Sequence, residues 1–306
     1  MTFVADKMVQ NMKKCLEKKA RLGVFKQHPA IEPETGLMVA TNGHILAAHK
    51  LQDYHCELGD GVFVVNGPRM VPAEVTKMKG TVTVEILVDG HDEVVRVTDG
   101  QGNAAELKQQ ALYPNWRSVM PWNSGYPIAV DAKAWDNVLK DMLSKIDKSM
   151  VNCPMRVYGE RDSKTIRLSH YNPDTDEEWK RDVEVGWMPY KMFASFNCKR
   201  MRDIMAFQPT AIRFVESTRA VMFTSEDTLM LLMPLAGGDD FDLTCKIGQK
   251  DYDRFDLAKW MMAKPQEVKK PKEKTAKVVV QTASQPEPSP AERLRQAMLA
   301  FMKQAA

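Results

Sequence analysis

The chain is short of the residues that staple small folds: its 306 residues hold five cysteines, Cys15, Cys56, Cys153, Cys198 and Cys245, far apart and with no CxxC pair. That spacing excludes a disulfide framework and a thiolate zinc site. His49, His55 and Cys56 lie close in sequence, but without a further ligand at a sensible spacing they predict no metal centre, and no cofactor is expected. A phosphate-cradling glycine loop is missing, so no nucleotide-driven motor is built in. No run approaches the ~18 apolar residues of a membrane span. The opening Met-Thr-Phe-Val-Ala-Asp-Lys lacks the apolar core of a signal peptide, so a cytoplasmic protein without membrane contact is expected. An excess of one charge is also lacking, since 43 Lys+Arg stand against 40 Asp+Glu for a net charge of +3. Any nucleic-acid binding must therefore come from an uneven arrangement of cations.

What is present is the composition of a soluble globular protein, 44% hydrophobic and 27% charged, in a chain long enough for two domains. Residues 37–50 organise it. Asn42-Gly43 between two apolar runs is a strong hairpin signal, because a type I′ turn needs positive φ at both central residues. A two-residue turn pairs Thr41 with His44, Ala40 with Ile45 and Val39 with Leu46. Alternation then places Thr41, His44, Val39 and Leu46 on one face, and Ala40, Ile45, Met38 and Ala47 on the other. Both faces are largely apolar, so the hairpin is covered on both sides, or offers a groove on one.

Around it the chain reads as sheet with few helices. A strand at 2–4 leads to a helix over 6–19, with Met8, Met12, Cys15 and Leu16 at helical spacing and Lys13 and Lys14 pointing away. A strand at 61–65 precedes residues 66–78, where Pro68 and Pro72 allow only a short or irregular helix. Residues 81–87 and 93–98 alternate as strands. The pattern then restarts. Val4-Ala-Asp-Lys7-x-x-x-Asn11 is echoed by Val130-Asp-Ala-Lys133-x-x-x-Asn137, which opens a helix with Trp135, Val138, Leu139, Met142 and Ile146 on its apolar stripe and Lys133, Lys140 and Lys148 away from it. Asn66-Gly-Pro-Arg69-Met70 is matched in spacing by Asn197-Cys-Lys-Arg200-Met201, and both are expected to open helices. Recurrence at an offset of about 130 residues predicts two copies of one α+β domain, 1–124 and 125–240. The second copy supplies strands at 155–158, 165–169, 178–185, 210–216, 220–224 and 228–235. Residues 241–263 form an extension of uncertain structure, with one helix near 255–262. From Lys264 the composition turns basic and then proline-rich, a disordered linker to about residue 290. Residues 291–306 form an amphipathic helix or a peptide motif.

These residues resemble one family. Val39-Ala-Thr-Asn-Gly-His-Ile-Leu-Ala47 is similar to the Ala-Thr-Asp-Gly-His-Arg-Leu-Ala hairpin of the bacterial DNA polymerase sliding clamp, the polymerase III beta subunit family. Tyr113-Pro-Asn-Trp-Arg-Ser-Val-Met-Pro121 resembles that family's Phe-Pro-Asp-Tyr-Arg-Arg-Val-x-Pro segment. Phe196-Asn197 before a helix and Leu231-Leu-Met-Pro-Leu235 resemble the start of its last helix and its closing strand. The resemblance implies tandem clamp domains in a non-enzymatic ring around duplex DNA, with helices lining the hole and partner peptides held in an inter-domain groove. Carried over by position, the groove wall is Thr41, Gly43, His44, Leu46, Pro114, Val119, Leu231, Met233, Pro234 and Leu235. The family's arginines are replaced by Ile45, Ser118 and Ala236, which makes the groove less basic. The family carries three such domains in a chain and six in a ring, so two domains here imply a homotrimer. DNA polymerase, other clamp-binding proteins and a separate ATP-dependent loader are the implied partners.

Lys13, Lys14, Lys133, Lys140, Lys199 and Arg200 read either as a solvated helix face or, in clamp geometry, as the DNA-facing set, contacting phosphates without regard to sequence. His44 has no motif partner that makes it a catalytic base and is read as groove lining. In the tail, Gln296, Leu299 and Phe301 resemble the short peptides with which partners bind bacterial clamps. The alternative to a sliding clamp is a clamp-like adaptor of a replisome that keeps the groove and does not encircle DNA. Because the linker has almost no apolar surface to bury, limited proteolysis is expected to cut first between Lys264 and Pro290. Protection of that stretch means that it packs.

Overall fold

The apolar run of the hairpin lies inside the largest sheet of the computed structural model. The structure describes residues 1–17, 23–57, 67–89, 92–109, 111–146, 153–172, 175–235 and 245–262. The expected strand at 61–65, the linker and the tail with Gln296, Leu299 and Phe301 lie outside the described residues.

Strands Leu37–Thr41 and Ile45–Lys50 pair antiparallel, two residues away from the expected register: Thr41 faces Leu46, Ala40 faces Ala47 and Val39 faces Ala48. The turn is not type I′, because only Gly43 takes a positive φ, at 84°. Asn42 closes it with its side chain, whose Oδ1 accepts the N–H groups of His44 and Ile45, each at 3.0 Å. An asparagine oxygen in that role supports a longer loop than a backbone turn alone. A slip of two residues leaves every side chain on its expected face. Val39 and Leu46 join one apolar cluster, and Met38, Ala40, Ile45 and Ala47 the other.

The hairpin sits within an eight-stranded sheet in the order Ile128–Ala129, Ala211–Arg213, Val221–Thr224, Thr228–Leu232, Ile45–Lys50, Leu37–Thr41, Ala30–Glu32, Arg69–Met70. Its centre joins the two halves of the chain: Leu231 pairs with Leu46, Leu232 with Ile45 and Met230 with Ala47. A five-stranded sheet runs Gln52–His55, Thr2–Ala5, Gly80–Asp89, Asp92–Asp99, Ala104–Lys108, and a four-stranded sheet runs Glu177–Glu184, Thr165–Asn172, Pro154–Gly159, Met192–Asn197. The α-helices among the described residues are α1 (Lys7–Asn11), α2 (Ala132–Lys145), α3 (Cys198–Met205) and α4 (Leu257–Met262). This is the expected α+β class, rich in sheet. The order of elements repeats. After α1 come the strands Ala30–Glu32, Leu37–Thr41 and Ile45–Lys50, then the short strands Gln52–His55 and Arg69–Met70 leading into the 3₁₀ turn Ala73–Lys77, then Gly80–Asp89, Asp92–Asp99 and Ala104–Lys108. After α2 come Pro154–Gly159, Thr165–Asn172 and Glu177–Glu184, then Met192–Asn197 leading into α3, then Ala211–Arg213, Val221–Thr224 and Thr228–Leu232.

Two helical expectations need correction. The first helix gives way to a 3₁₀ turn, Met12–Cys15, and the fully buried residues are Val9, Met12 and Cys15. Their spacing of three is that of a 3₁₀ helix, whereas Met8 and Leu16 of the expected stripe pack only at the margin. Arg69–Met70 is a strand and opens no helix; helical turns begin only after Pro72, whose ring removes an N–H and sets the entry angle. In the second half Asn197 does cap α3, accepting from Lys199 and Arg200.

One apolar cluster lies between sheets and helices; the other covers the opposite face of the eight-stranded sheet, where Tyr113, Trp116, Met120 and Trp260 lie over Val39, Leu46, Leu229 and Leu231. Two polar clasps fix these layers. Buried Glu32 accepts from Trp116 Nε1 at 2.7 Å and from Nη1 and Nη2 of Arg117, which anchors the residues between the halves. Buried His49 meets Thr228 Oγ1 at 2.9 Å and Asp6 Oδ2 at 3.2 Å, and Asp6 also caps α1 through the N–H of Val9. Burial alone would raise the Asp6 carboxyl, but His49 and the backbone N–H groups more than reverse this and hold it below its ordinary 3.8.

A depressed carboxyl stabilises the fold above its unfolded pKa, and that contribution is lost as pH falls through the folded value. Asn still caps a helix, so Asp6→Asn removes mainly the charge facing His49. The variant is expected to be less stable at neutral pH and to show a shallower loss of stability below pH 3.8, followed by urea unfolding at several pH values. An unchanged acid limb would separate Asp6 from the clasp. At the turn, Asn42→Ala strands two N–H groups and is expected to cost about 1–3 kcal/mol, whereas Asn42→Asp keeps an acceptor and costs less. Asn42 Nδ2 is itself buried without a hydrogen-bond partner among the described residues, so Asp loses no bond there. Equal losses for the two variants would show that the side-chain oxygen does not hold the turn.

Candidate functional site

Two concave surfaces share α3. The first is a cleft of about 850 Å³ where α1, α2 and α3 converge, lined by Lys7, Lys14, Lys133, Lys199 and Arg202 together with Asp131, Asp136 and Asp203. Local sequence explains the convergence. Lys7 and Lys133 are the same position of the repeated Val-…-Lys opening, and Asn11 Nδ2 ties α1 to the end of α3 by donating to the Ala206 carbonyl at 2.8 Å. The three carboxylates are already engaged. Asp131 caps α2, Asp203 pairs with Lys14 at 3.2 Å, and Asp136 pairs with Lys140 at 2.5 Å and Arg202 at 3.0 Å. Burial pushes the Asp136 carboxyl up, and the hydrogen bonds from Lys140 and Arg202 outweigh it, holding the group below the usual range. Lys7 and Lys133 are exposed and form no ion pair among the described residues. An anionic polymer lying in the cleft meets these two ammonium groups first.

Of the six cations expected to face DNA, the cleft gathers Lys14, Lys133 and Lys199. Lys13 is exposed on the 3₁₀ turn and does not line it, and Lys140 is held along α2 by Asp136. Arg200 lies in the second hollow instead. Neighbouring residues on a helix point about 100° apart, and Lys199 borders both surfaces whereas Arg200 lines only the second. Sequence reading missed Lys7 and Arg202. Lys7 was available from the repeat itself, and Arg202 from its i,i+3 relation to Lys199.

The second hollow, about 430 Å³, is bounded by His44, Met233, Pro234 and Leu235 on one side and Asn197, Lys199, Arg200 and Asp203 on the other. Backbone hydrogen bonds set its walls: Met233 N–H donates to His44 O at 2.9 Å, and Leu235 N–H to Ser195 O at 2.8 Å. Of the ten expected groove residues, these four come together. Thr41 is used by the turn, its hydroxyl donating to Ile45 O and accepting from the exposed Gly43 N–H. Leu46 and Leu231 do not line the hollow. They are 5% and 2% exposed, paired across the two strands and roofed by the residues around Trp116. Pro114 and Val119 lie on the outer side of that roof; both are exposed, Val119 at 57%, and neither lines the hollow. No group of three or more His, Cys, Asp or Glu side chains suited to a metal ion occurs among the described residues. Nor is any described helix long and apolar enough to cross a membrane.

No protein-family model and no curated protein matches the chain. Solved structures do. The chain superposes on the DNA polymerase sliding clamp from Pseudomonas aeruginosa with a TM-score of 0.61 at 16% identity, covering 78% of this chain and 66% of that one. The sliding clamp from Caulobacter crescentus gives 0.59 at 16% identity over 78% and 65%, and the DNA polymerase III subunit beta from Borrelia burgdorferi 0.59 at 14% over 78% and 64%. The match thus spans about two thirds of those proteins' length. At such identities the likeness speaks for architecture, and it does so clearly: this chain has the fold of a bacterial DNA polymerase sliding clamp, in a shortened form.

Proposed function

We propose that the chain is a sliding clamp, non-catalytic, whose two clamp domains (residues 1–124 and 125–240) assemble head to tail as a trimer around duplex DNA. The observation that carries this reading is the cleft: cations from α1, α2 and α3 gather on the helical side of the molecule. Five cations interleaved with three carboxylates suit weak phosphate contacts that let a ring move along the duplex.

The repeated order of elements supports ring closure. Ile45–Lys50 is the third strand after α1 and pairs with Thr228–Leu232, the third strand after α3. Their counterparts are Glu177–Glu184, third after α2, and Ala104–Lys108, third after the 3₁₀ turn, and each is the edge strand of its sheet. Pairing Glu177–Glu184 of one copy with Ala104–Lys108 of the next repeats the internal seam between copies. Such a heterologous contact closes into a ring when its rotation allows, and three copies supply six domains. A polymerase and other clamp-binding proteins are then held through the hollow beside His44, and a separate ATP-dependent loader opens the ring.

The expected mass by light scattering is three times that of one chain; a monomer at micromolar concentration would favour the non-encircling adaptor. Rings assembled in the presence of circular duplex are expected to stay bound at high salt and to be lost when the circle is cut. Lys7→Ala with Lys133→Ala is expected to reduce the slope of log affinity against log salt by about two, one for each phosphate contact. Equal retention on linear and circular DNA would rule out the topological link.

A further inference from the structure

The hollow beside His44 is built for more than an apolar side chain. Its apolar wall is Met233, Pro234 and Leu235, and the wall opposite carries Lys199 and Arg200. Among the described lining residues the one carboxylate, Asp203, is engaged by Lys14 at 3.2 Å. Arg200 is half-buried, and its guanidinium forms no ion pair among the described residues. A guanidinium that is partly desolvated and offers five donors in a planar fork favours an incoming carboxylate, which it can hold in bidentate fashion. A volume of about 430 Å³ admits a large apolar side chain with a neighbouring carboxylate, and excludes a folded domain.

Resting on the reading of this hollow as the partner-peptide groove, we infer that it selects acidic peptides: a carboxylate one residue from an apolar anchor binds Arg200, with Lys199 adding to the positive potential. Arg200 is then a specificity residue of the groove and takes no part in holding DNA. The chain's own tail is a mismatched ligand by this rule. Residues 296–302, Gln-Ala-Met-Leu-Ala-Phe-Met, contain no acid, and Arg293, Arg295 and Lys303 flank them. Tethering gives the tail a high local concentration, and its charge lets an acidic partner displace it.

The test uses the full chain carrying Leu299→Ala and Phe301→Ala, so that its own tail does not compete. Three labelled peptides are compared by fluorescence anisotropy: the 296–302 sequence, its Ala300→Asp form and its Ala300→Lys form. The Asp peptide is expected to bind about three- to tenfold more tightly than the parent, the scale of one charge-assisted contact at a partly solvated site, and the Lys peptide more weakly. The gain is expected to shrink at high salt. Arg200→Gln should abolish the difference, and Arg200→Glu should reverse it so that the Lys peptide binds best; unchanged thermal unfolding shows that neither variant has lost the fold. Equal binding of all three peptides would overturn the acid preference and leave the groove standing. Binding of none would overturn the groove reading and this inference with it.

Discussion

The structure depends on one antiparallel seam, the pairing of Ile45–Lys50 with Thr228–Leu232. The two strands come from opposite halves of the chain and carry apolar side chains on both faces. Large residues meet small ones at one end of it, Met230 against Ala47 and Leu229 against Ala48, and large residues meet each other at the other end, Leu231 against Leu46 and Leu232 against Ile45. Leu46 and Leu231, 5% and 2% exposed, each contribute about 2 kcal/mol of apolar burial. Because water reaches neither face, the ladder is the partner for the strands' N–H and C=O groups, and parting it would leave those groups unsatisfied. A slip of one residue would exchange the two clusters. His49, at one end of the seam, binds Thr228 and Asp6, so the start of α1 is set by the same register. The positions of the cleft cations and of the hollow both follow from this joint.

How much of this can be read from the sequence depends on the range of the interaction. The hairpin was legible because Asn42-Gly43 is a local signal, and its faces survived a register error because side-chain direction has a period of two. The register itself turned on the Asn42 Oδ1 contacts to His44 and Ile45, a side-chain substitution for backbone bonding that a turn rule does not contain. The seam was not legible. Nothing local marks Ile45–Lys50 and Thr228–Leu232 as partners; both read simply as buried strands. For the same reason the hidden state of Leu46 and Leu231 escaped notice, since what covers them, the residues around Trp116 and α4, reaches them only through the tertiary fold. The pairing of Asn123–Gly125 with Tyr252–Arg254, which ties the residues beyond the closing strand to the connection between halves, was invisible on the same grounds.

Helix α3 shows how a short element can divide its work. Cys198, Met201, Ile204 and Met205 are buried and hold it against the core. On its outer surface Lys199, Arg202 and Asp203 line the helical cleft, whereas Arg200 lines only the hollow, and Lys199 and Asp203 form the ridge common to both. The run of charges in Lys199-Arg200-Met201-Arg202-Asp203 is therefore two half-sets separated by helical phase. Charge alone did not separate them; the angular position of each residue did.

The same geometry explains why the arginine of the family hairpin has no counterpart in the wall of this hollow. Ile45 occupies that place in the sequence, but here it is 1% exposed, pairs with Leu232 and joins the cluster on the helix side of the sheet. A guanidinium there would be buried among apolar side chains without a carboxylate, a cost of several kcal/mol per charge. Ser118, at the place of a second family arginine, is exposed and spends its hydroxyl on the Asn115 carbonyl at 2.7 Å. With the hairpin committed to the core and Ser118 to its own turn, positive charge reaches the hollow from the opposite wall, where Arg200 projects from a helix whose packing is secured by other residues. The hollow is therefore basic on its helix side, through Lys199 and Arg200, and not on its hairpin side.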